Sequence, residues 1–164
     1  MVTLVGGIGL PWLRDLDFGT QFVRRVEDLE WPDGVILEDL SYAGHRVLHR
    51  LQELRPDKVV LVGAFPRGRV PGSVRRYDLD LTPPDGDEVH ERLTEAIGGV
   101  IDLDHTLAIV RYWNGFPADT VVIEVEPEDL SFGLGFTAAV EASVEIVLEL
   151  VRREVHGERA QAAP

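Results

Sequence analysis

Asp102-Leu103-Asp104-His105 sets two carboxylates and an imidazole within four residues. Such a trio could ligate a metal or move protons as general acid and base. Equally, Asp102 or Asp104 could cap the helix expected to follow, the commoner use of aspartate there. His45 and His49 stand four apart on another expected helix, where their rings could share a metal. No glutamate follows His45 as a zinc peptidase helix requires, so a solvated stripe is the better expectation. Gly7-Ile8-Gly9 invites a dinucleotide reading, but the third glycine of that fingerprint falls on Trp12, and Pro11 sits where the phosphate-binding helix should open. A glycine-permitted tight turn after a strand is expected instead. There is no Gly-x-Ser-x-Gly elbow for a serine hydrolase. The absence of cysteine removes thiolate nucleophiles, disulfides and iron–sulfur clusters.

The chain around these residues is acidic, with 29 Asp and Glu against 16 Lys and Arg and a formal charge of -13 over 164 residues. That balance argues against nucleic acid as a partner, because a sequence-independent grip needs a basic face. No apolar run approaches the roughly 20 residues that span a bilayer, so no membrane partner is expected. VTLVGG reads as a strand from Val2 and leaves no room for a charged leader, so a cytoplasmic protein is expected. One domain over residues 1–156 is expected, followed by a polar C-terminal tail over 157–164.

Short β-branched runs alternate with helical patterns, the sign of an α/β protein with a parallel sheet. Strands are expected at Val2–Val5 (stopped by Gly6-Gly7), Val35–Leu37, Lys58–Ala64 and Thr120–Val125. An edge strand is expected over Ser73–Leu81, where RRYDLDL alternates. Helices are expected at Phe18–Leu29, Ala43–Leu54, Glu88–Ala96, Leu103–Trp113 and, as one long element, Thr137–Val155. In such sheets ligands gather beyond the carboxyl ends of the strands. That rim receives Gly7, Gly9, Asp15, Asp17 and Gly19 from the first strand. The second delivers Asp39, Ser41 and His45, the third Arg67 and Arg69, and the last Glu126, Glu128 and Asp129.

The order of these segments resembles the hydrogenase maturation protease family, peptidase family M52. TLVGGIGLPWLRDLDFGTQFVRRVE is similar to that family's strand, G-x-G, apolar stretch, acidic pair and glycine before the first helix. ILEDLSYAG resembles its second strand ending in aspartate. KVVLVGAFPRGRVPGSVRRYDL resembles its central strand with a proline-glycine turn into an edge strand, and VVIEVEPEDLSFGLGFTAAVEASVEIVLELV its closing strand, G-L-G and final helix. The resemblance implies a three-layer αβα fold around a mostly parallel five-stranded twisted sheet. It also implies nickel-dependent removal of a C-terminal extension from the large subunit of a nickel–iron hydrogenase, with that subunit or its precursor as partner.

In the family, nickel is sensed by a first-loop carboxylate, an aspartate ending the central strand and a histidine before the penultimate helix. Those places fall here on Leu16, on Gly63 and on the stretch from Gly98 to Asp102, none of which supplies the expected side chain. Nickel is therefore expected only through the substrate or a relocated set drawn from Asp17, Asp102, Asp104 and His105. Asp15 and Asp39 keep acidic places of the pattern, while Gly7, Gly9 and Gly19 are scaffold. The alternative is a pseudo-protease serving as assembly chaperone or structural partner, and a third possibility is unrelated chemistry on the same scaffold. Leu10, Pro11, Trp12 and Leu13 could face a protein partner or pack on the final helix. Arg67 and Arg69 could bind a partner's carboxylate, with solvation as the default.

Overall fold

Lys58–Ala64 (β3) is apolar at nearly every position, and every residue of it is buried, as a strand covered on both faces must be. In the computed structural model, which describes residues 1–158, β3 is the centre of one five-stranded sheet. Thr3–Ile8 (β1) and Val35–Asp39 (β2) lie on one side of it, with Asp119–Val125 (β5) and Val74–Asp78 (β4) on the other. The order is β2-β1-β3-β5-β4; only β4 runs antiparallel, at the edge. The fold is thus the expected α/β three-layer architecture.

Side-chain alternation along the strands builds two cores. Val5, Val60, Val62, Val121 and Ile123 face Phe18–Val26 (α1), Ala138–Glu141 (α5) and Val144–Val155 (α6). Leu4, Val59, Leu61 and Val122 face Gly44–Leu54 (α2) and Leu103–Tyr112 (α4), with Gly86–Ile97 (α3) packed on α4. Phe18 and Phe22 are wholly buried and stacked. Burial of each such ring contributes about 1.5–3 kcal/mol.

The edge strand β4 spans only Val74–Asp78 of the expected Ser73–Leu81, and three further elements depart from the sequence expectation, each for a local reason. β1 does not stop at Gly6-Gly7 but runs through them. Glycine is required there because a Cβ on Gly7 would collide with the Gly19 carbonyl at the start of α1, and one on Gly6 with Leu40. Helix α1 ends at Val26 rather than Leu29, where the Val26 carbonyl accepts both Leu29 N at 3.1 Å and Trp31 Nε1 at 2.9 Å. The long final helix is broken between Glu141 and Val144. Ser143 is buried there; its hydroxyl donates to Val140 O at 2.6 Å and its N–H to the same carbonyl at 3.0 Å, displacing the regular ladder.

At the amino ends of the strands, the Glu154 carboxylate of α6 is buried between Lys58 Nζ (2.6 Å) and Arg76 Nε (2.7 Å). Burial pushes its pKa up, but the hydrogen bonds from Arg76 and Lys58 outweigh that and hold it below the usual glutamate value. This cluster edges a cavity of about 510 Å³ that also meets Asp78 and Asp119.

Candidate functional site

Beyond the carboxyl end of β1 the chain makes a tight loop in which Trp12 and Arg14 take left-handed backbone angles, φ 68° and 43°. Two side chains in that region are strained unless something holds them. Asp15 does the holding: it is wholly buried, and its Oδ2 accepts from Glu128 N, Asp129 N and Thr137 Oγ1, each at 2.9 Å. Its Oδ1 accepts from Thr137 N at 2.8 Å. With both oxygens committed to the 128–137 loop, Asp15 is a staple between two distant loops. The same loops pair through Gly133 N to Trp12 O (2.7 Å) and Arg14 N to Gly133 O (3.2 Å). Trp12 does not pack on the final helix; it stacks on Phe132 at 6.4 Å between ring centroids, and both rings are largely exposed.

A polar knot lies where β1 and β2 end. Gly9 N donates to Ser41 Oγ at 2.8 Å, Ser41 Oγ lies 2.7 Å from Thr20 Oγ1, and Asp39 Oδ1 accepts from Ser41 N (3.0 Å) and Thr20 Oγ1 (3.3 Å). Asp17 sits beside it, 6% exposed. Its Oδ2 accepts from Gln21 Nε2 at 2.8 Å, whereas its Oδ1 is buried without a hydrogen bond. Burial accordingly pushes the Asp17 carboxyl above its ordinary pKa. A Cβ on Gly9 would stand 2.7 Å from Thr20 Oγ1 and 2.8 Å from Asp17 Oδ1, so any other residue there would displace the knot.

Where β3 and β5 end, Arg67 is far from simply solvated. Its Nε and Nη2 donate to the two oxygens of Glu124 at 2.9 and 3.1 Å, and its Nη1 and Nη2 to those of Asp104 at 3.0 and 2.7 Å. Tyr77 Oη adds a bond to Glu124 at 3.0 Å, and Phe65 lies under the guanidinium at 4.1 Å. Burial lowers the pKa of Arg67, but Glu124 and Asp104 more than offset this and hold it above an ordinary arginine. Glu126 accepts the backbone N–H groups of Arg67 and Gly68, which fixes the turn. Arg69 is exposed.

The Asp102–His105 trio is divided among separate duties. Asp102 caps α4 through His105 N at 2.9 Å, and Asp104 belongs to Arg67. His105 is buried, with Nε2 accepting from Gly44 N at 3.0 Å and Nδ1 lying 3.2 Å from Arg92 O. Burial pulls its pKa down, so it is neutral at physiological pH. His45 and His49 are exposed on α2, ring to ring at 6.3 Å.

Nickel needs several nitrogen or oxygen donors converging on one point. Leu16 and Leu103 instead line an apolar crevice with Ile8, Leu10, Ala64 and Asp102, and it has no space for even a water. The Leu103 methyls lie 3.7 Å from where a Gly63 Cβ would be. Among the described residues, no three or more His, Asp or Glu side chains are placed to hold a metal. The Asp17, Asp102, Asp104 and His105 set is therefore not assembled, because each member is committed to another partner or apart from the rest. These residues do not fit a resident nickel ion.

Glu124 and Tyr77 were not among the sequence candidates. Glu124 is paired in register with Gly63, so a carboxylate stands on the strand next to the place where the resemblance led one to be expected. A charged residue inside the otherwise apolar TVVIEV was the available signal.

The fold is similar to that of solved maturation endopeptidases. The hydrogenase maturating endopeptidase HybD of E. coli aligns over 97% of this chain and 94% of its own, with a TM-score of 0.74 and 25% identity. An endopeptidase of Escherichia coli solved in solution aligns over 100% of this chain and 98% of its own, with a TM-score of 0.73 and 25% identity. A hydrogenase 2 maturation peptidase from a Thaumarchaeota archaeon shares the fold at 22% identity, covering 97% of this chain and 100% of that one with a TM-score of 0.67. No protein-family model and no curated protein matches the sequence. By structure, the chain is similar to hydrogenase maturation endopeptidases.

Proposed function

We propose that the protein is a cytoplasmic hydrogenase maturation protease-like factor that engages the large subunit of a nickel–iron hydrogenase or its precursor. The observation that supports this is the near-complete alignment with the E. coli maturation endopeptidase over both chains. No described helix is long and apolar enough to cross a membrane.

Leu16 and Leu103, with no carboxylate on Gly63, favour a second reading: binding without nickel-dependent cutting, as an assembly chaperone or structural partner. On this reading, nickel enters only with the substrate. The chain's own groups would then do the work of a docking surface. Asp15 fixes the two loops, the Ser41–Thr20–Asp39 knot orders the rim, and Arg67 holds Asp104 and Glu124 in place.

Incubating the purified chain with nickel-loaded and nickel-free large-subunit precursor separates the readings. A shortened precursor supports the protease, and a bound but unshortened one supports the chaperone. If the precursor is neither bound nor cut, the maturation role is wrong. Calorimetry with nickel alone should show no heat of binding at micromolar metal.

A further inference from the structure

The edge strand β4 leaves one row of backbone groups without a partner strand. Leu79 N donates to Thr120 O at 2.9 Å and Ser73 O accepts from Glu126 N at 3.0 Å, so the odd-numbered residues bond to β5. The N–H and C=O groups of Val74, Arg76 and Asp78 therefore point out of the sheet. β4 is the last strand in the order, and among the described residues no further strand covers this row. Such a row is a template for another extended chain, and the charges along it decide which chain is admitted.

Beside the row runs a groove of about 430 Å³, with Arg75, Tyr77 and Leu79 on the sheet side and Leu107 and Arg111 of α4 opposite. Most of its carboxylates are committed. Asp78 pairs with Arg76 at 2.8 Å, Asp80 accepts from Thr82 N at 2.9 Å, and Asp104 holds Arg67. Two of its cations are not. Arg75 lies over Tyr77, 4.9 Å from the ring centre, and Arg111 donates to the carbonyls of Leu107 and Asp80 at 3.0 and 3.4 Å. Among the described residues neither guanidinium forms an ion pair. Both are placed by neutral groups that leave their charge unanswered, and Glu88 is the one uncommitted carboxylate beside them. In a chain of formal charge -13 this is a local excess of positive charge.

The shape of the occupant follows from the row and the groove together. Side chains of a strand alternate between its faces, so a chain laid along β4 turns every second side chain into the groove. A helix spends its backbone groups internally and has none to give the row.

We propose that the edge of β4 takes an extended, acidic segment of a partner protein as a further strand, its backbone bonded to Val74, Arg76 and Asp78 and its alternate carboxylates set toward Arg75 and Arg111. This names the chemistry of the docked segment, and it rests on the maturation reading only for the partner's identity.

Fluorescence anisotropy of labelled, amidated heptapeptides that alternate Glu with Val tests this on the full chain. Saturable binding is expected. Replacing the peptide's Glu by Lys should weaken it at least about tenfold, as should Arg75→Glu or Arg111→Gln in the protein. Arg75 is exposed, and an unchanged thermal melt would verify the folding of each variant. Methylating alternate backbone nitrogens of the peptide reads the strand itself: one alternate set should abolish binding and the other should leave it, because only one set faces β4. Equal binding of the Lys peptides, full binding by both variants, the same response to both methylated sets, or no saturation up to about 1 mM peptide would overturn the proposal. So would a concentration-dependent dimer that excludes the peptide, which would give the edge to a second copy. A chain that binds precursor but ignores the heptapeptides refutes this inference alone, whereas one that binds the heptapeptides but not precursor refutes the maturation role alone.

Discussion

The two ends of the sheet carry ion clusters of opposite design. At the amino ends one carboxylate, Glu154, lies between two cations, Lys58 and Arg76. At the carboxyl ends one guanidinium, Arg67, lies between two carboxylates, Glu124 and Asp104. The first cluster stands wholly on β3, β4 and α6, with the Glu154 side chain 3% exposed. The second hangs on a residue of the loop after β3 whose side chain is 30% exposed. The same chemistry is therefore structural where regular elements hold every member, and adjustable where a loop brings the central charge to the surface.

Removing the centre of each cluster should expose that difference. Glu154→Ala removes the buried centre and leaves Lys58 only Asp119 at 3.6 Å and Arg76 only Asp78 at 2.8 Å, and it should cost about 3–5 kcal/mol in urea unfolding, the range for breaking a buried pair. Arg67→Met leaves Glu124 with the Tyr77 hydroxyl and should cost only about 1–3 kcal/mol. If Arg67→Met proves the more damaging, the comparison is reversed.

Acid should find the amino-end cluster next. Because the folded pKa of Glu154 is depressed, its stabilisation is complete above the ordinary glutamate value near 4.5 and is lost as pH falls through the lower folded value. Melting temperatures followed from pH 6 to pH 3 should fall more steeply in the native chain than in Glu154→Gln.

Asp17 runs the other way. Its folded pKa is raised, so the fold loses stability as pH climbs from 3.8 through the folded value, and the charged form at neutral pH is a burden. Asp17→Asn should therefore stabilise by roughly 0.5–1 kcal/mol at pH 7, a gain readable by calorimetry. The smallest effect should come from His45→Ala, within about 0.5 kcal/mol, since that ring is exposed on α2.

What the sequence made legible follows from the range of each interaction. The bounds of β3 are readable in KVVLVGA because burial on both faces writes a continuous apolar run. The Asp102 cap is readable because its partner is three residues away. Ser143 shows why the apolar spacing predicts one continuous last helix: a hydroxyl that bonds backward leaves that spacing intact while breaking the ladder. Gly6 and Gly7 looked like a stop signal, yet their role is set by Leu40 and Gly19, which sequence spacing does not bring near. The site suffered most from this limit. Asp15 reads as a candidate ligand until Thr137 is seen on both of its oxygens, and Arg67 reads as solvated until Glu124 is found 57 positions on. Lys58 and Glu154 are 96 apart, and the one clue was two charges set on otherwise inward-facing positions.

The Asp15 staple also sets a timetable. Its carboxylate joins the first loop to Thr137, 122 residues later. At ribosomal speeds of 5–20 residues per second, roughly 6 to 24 s separate the synthesis of the two ends. Throughout that interval a nascent chain has the Trp12 segment but nothing to hold it in its left-handed turns. The stacked pair of Trp12 and Phe132 is thus assembled only in a chain that is nearly complete.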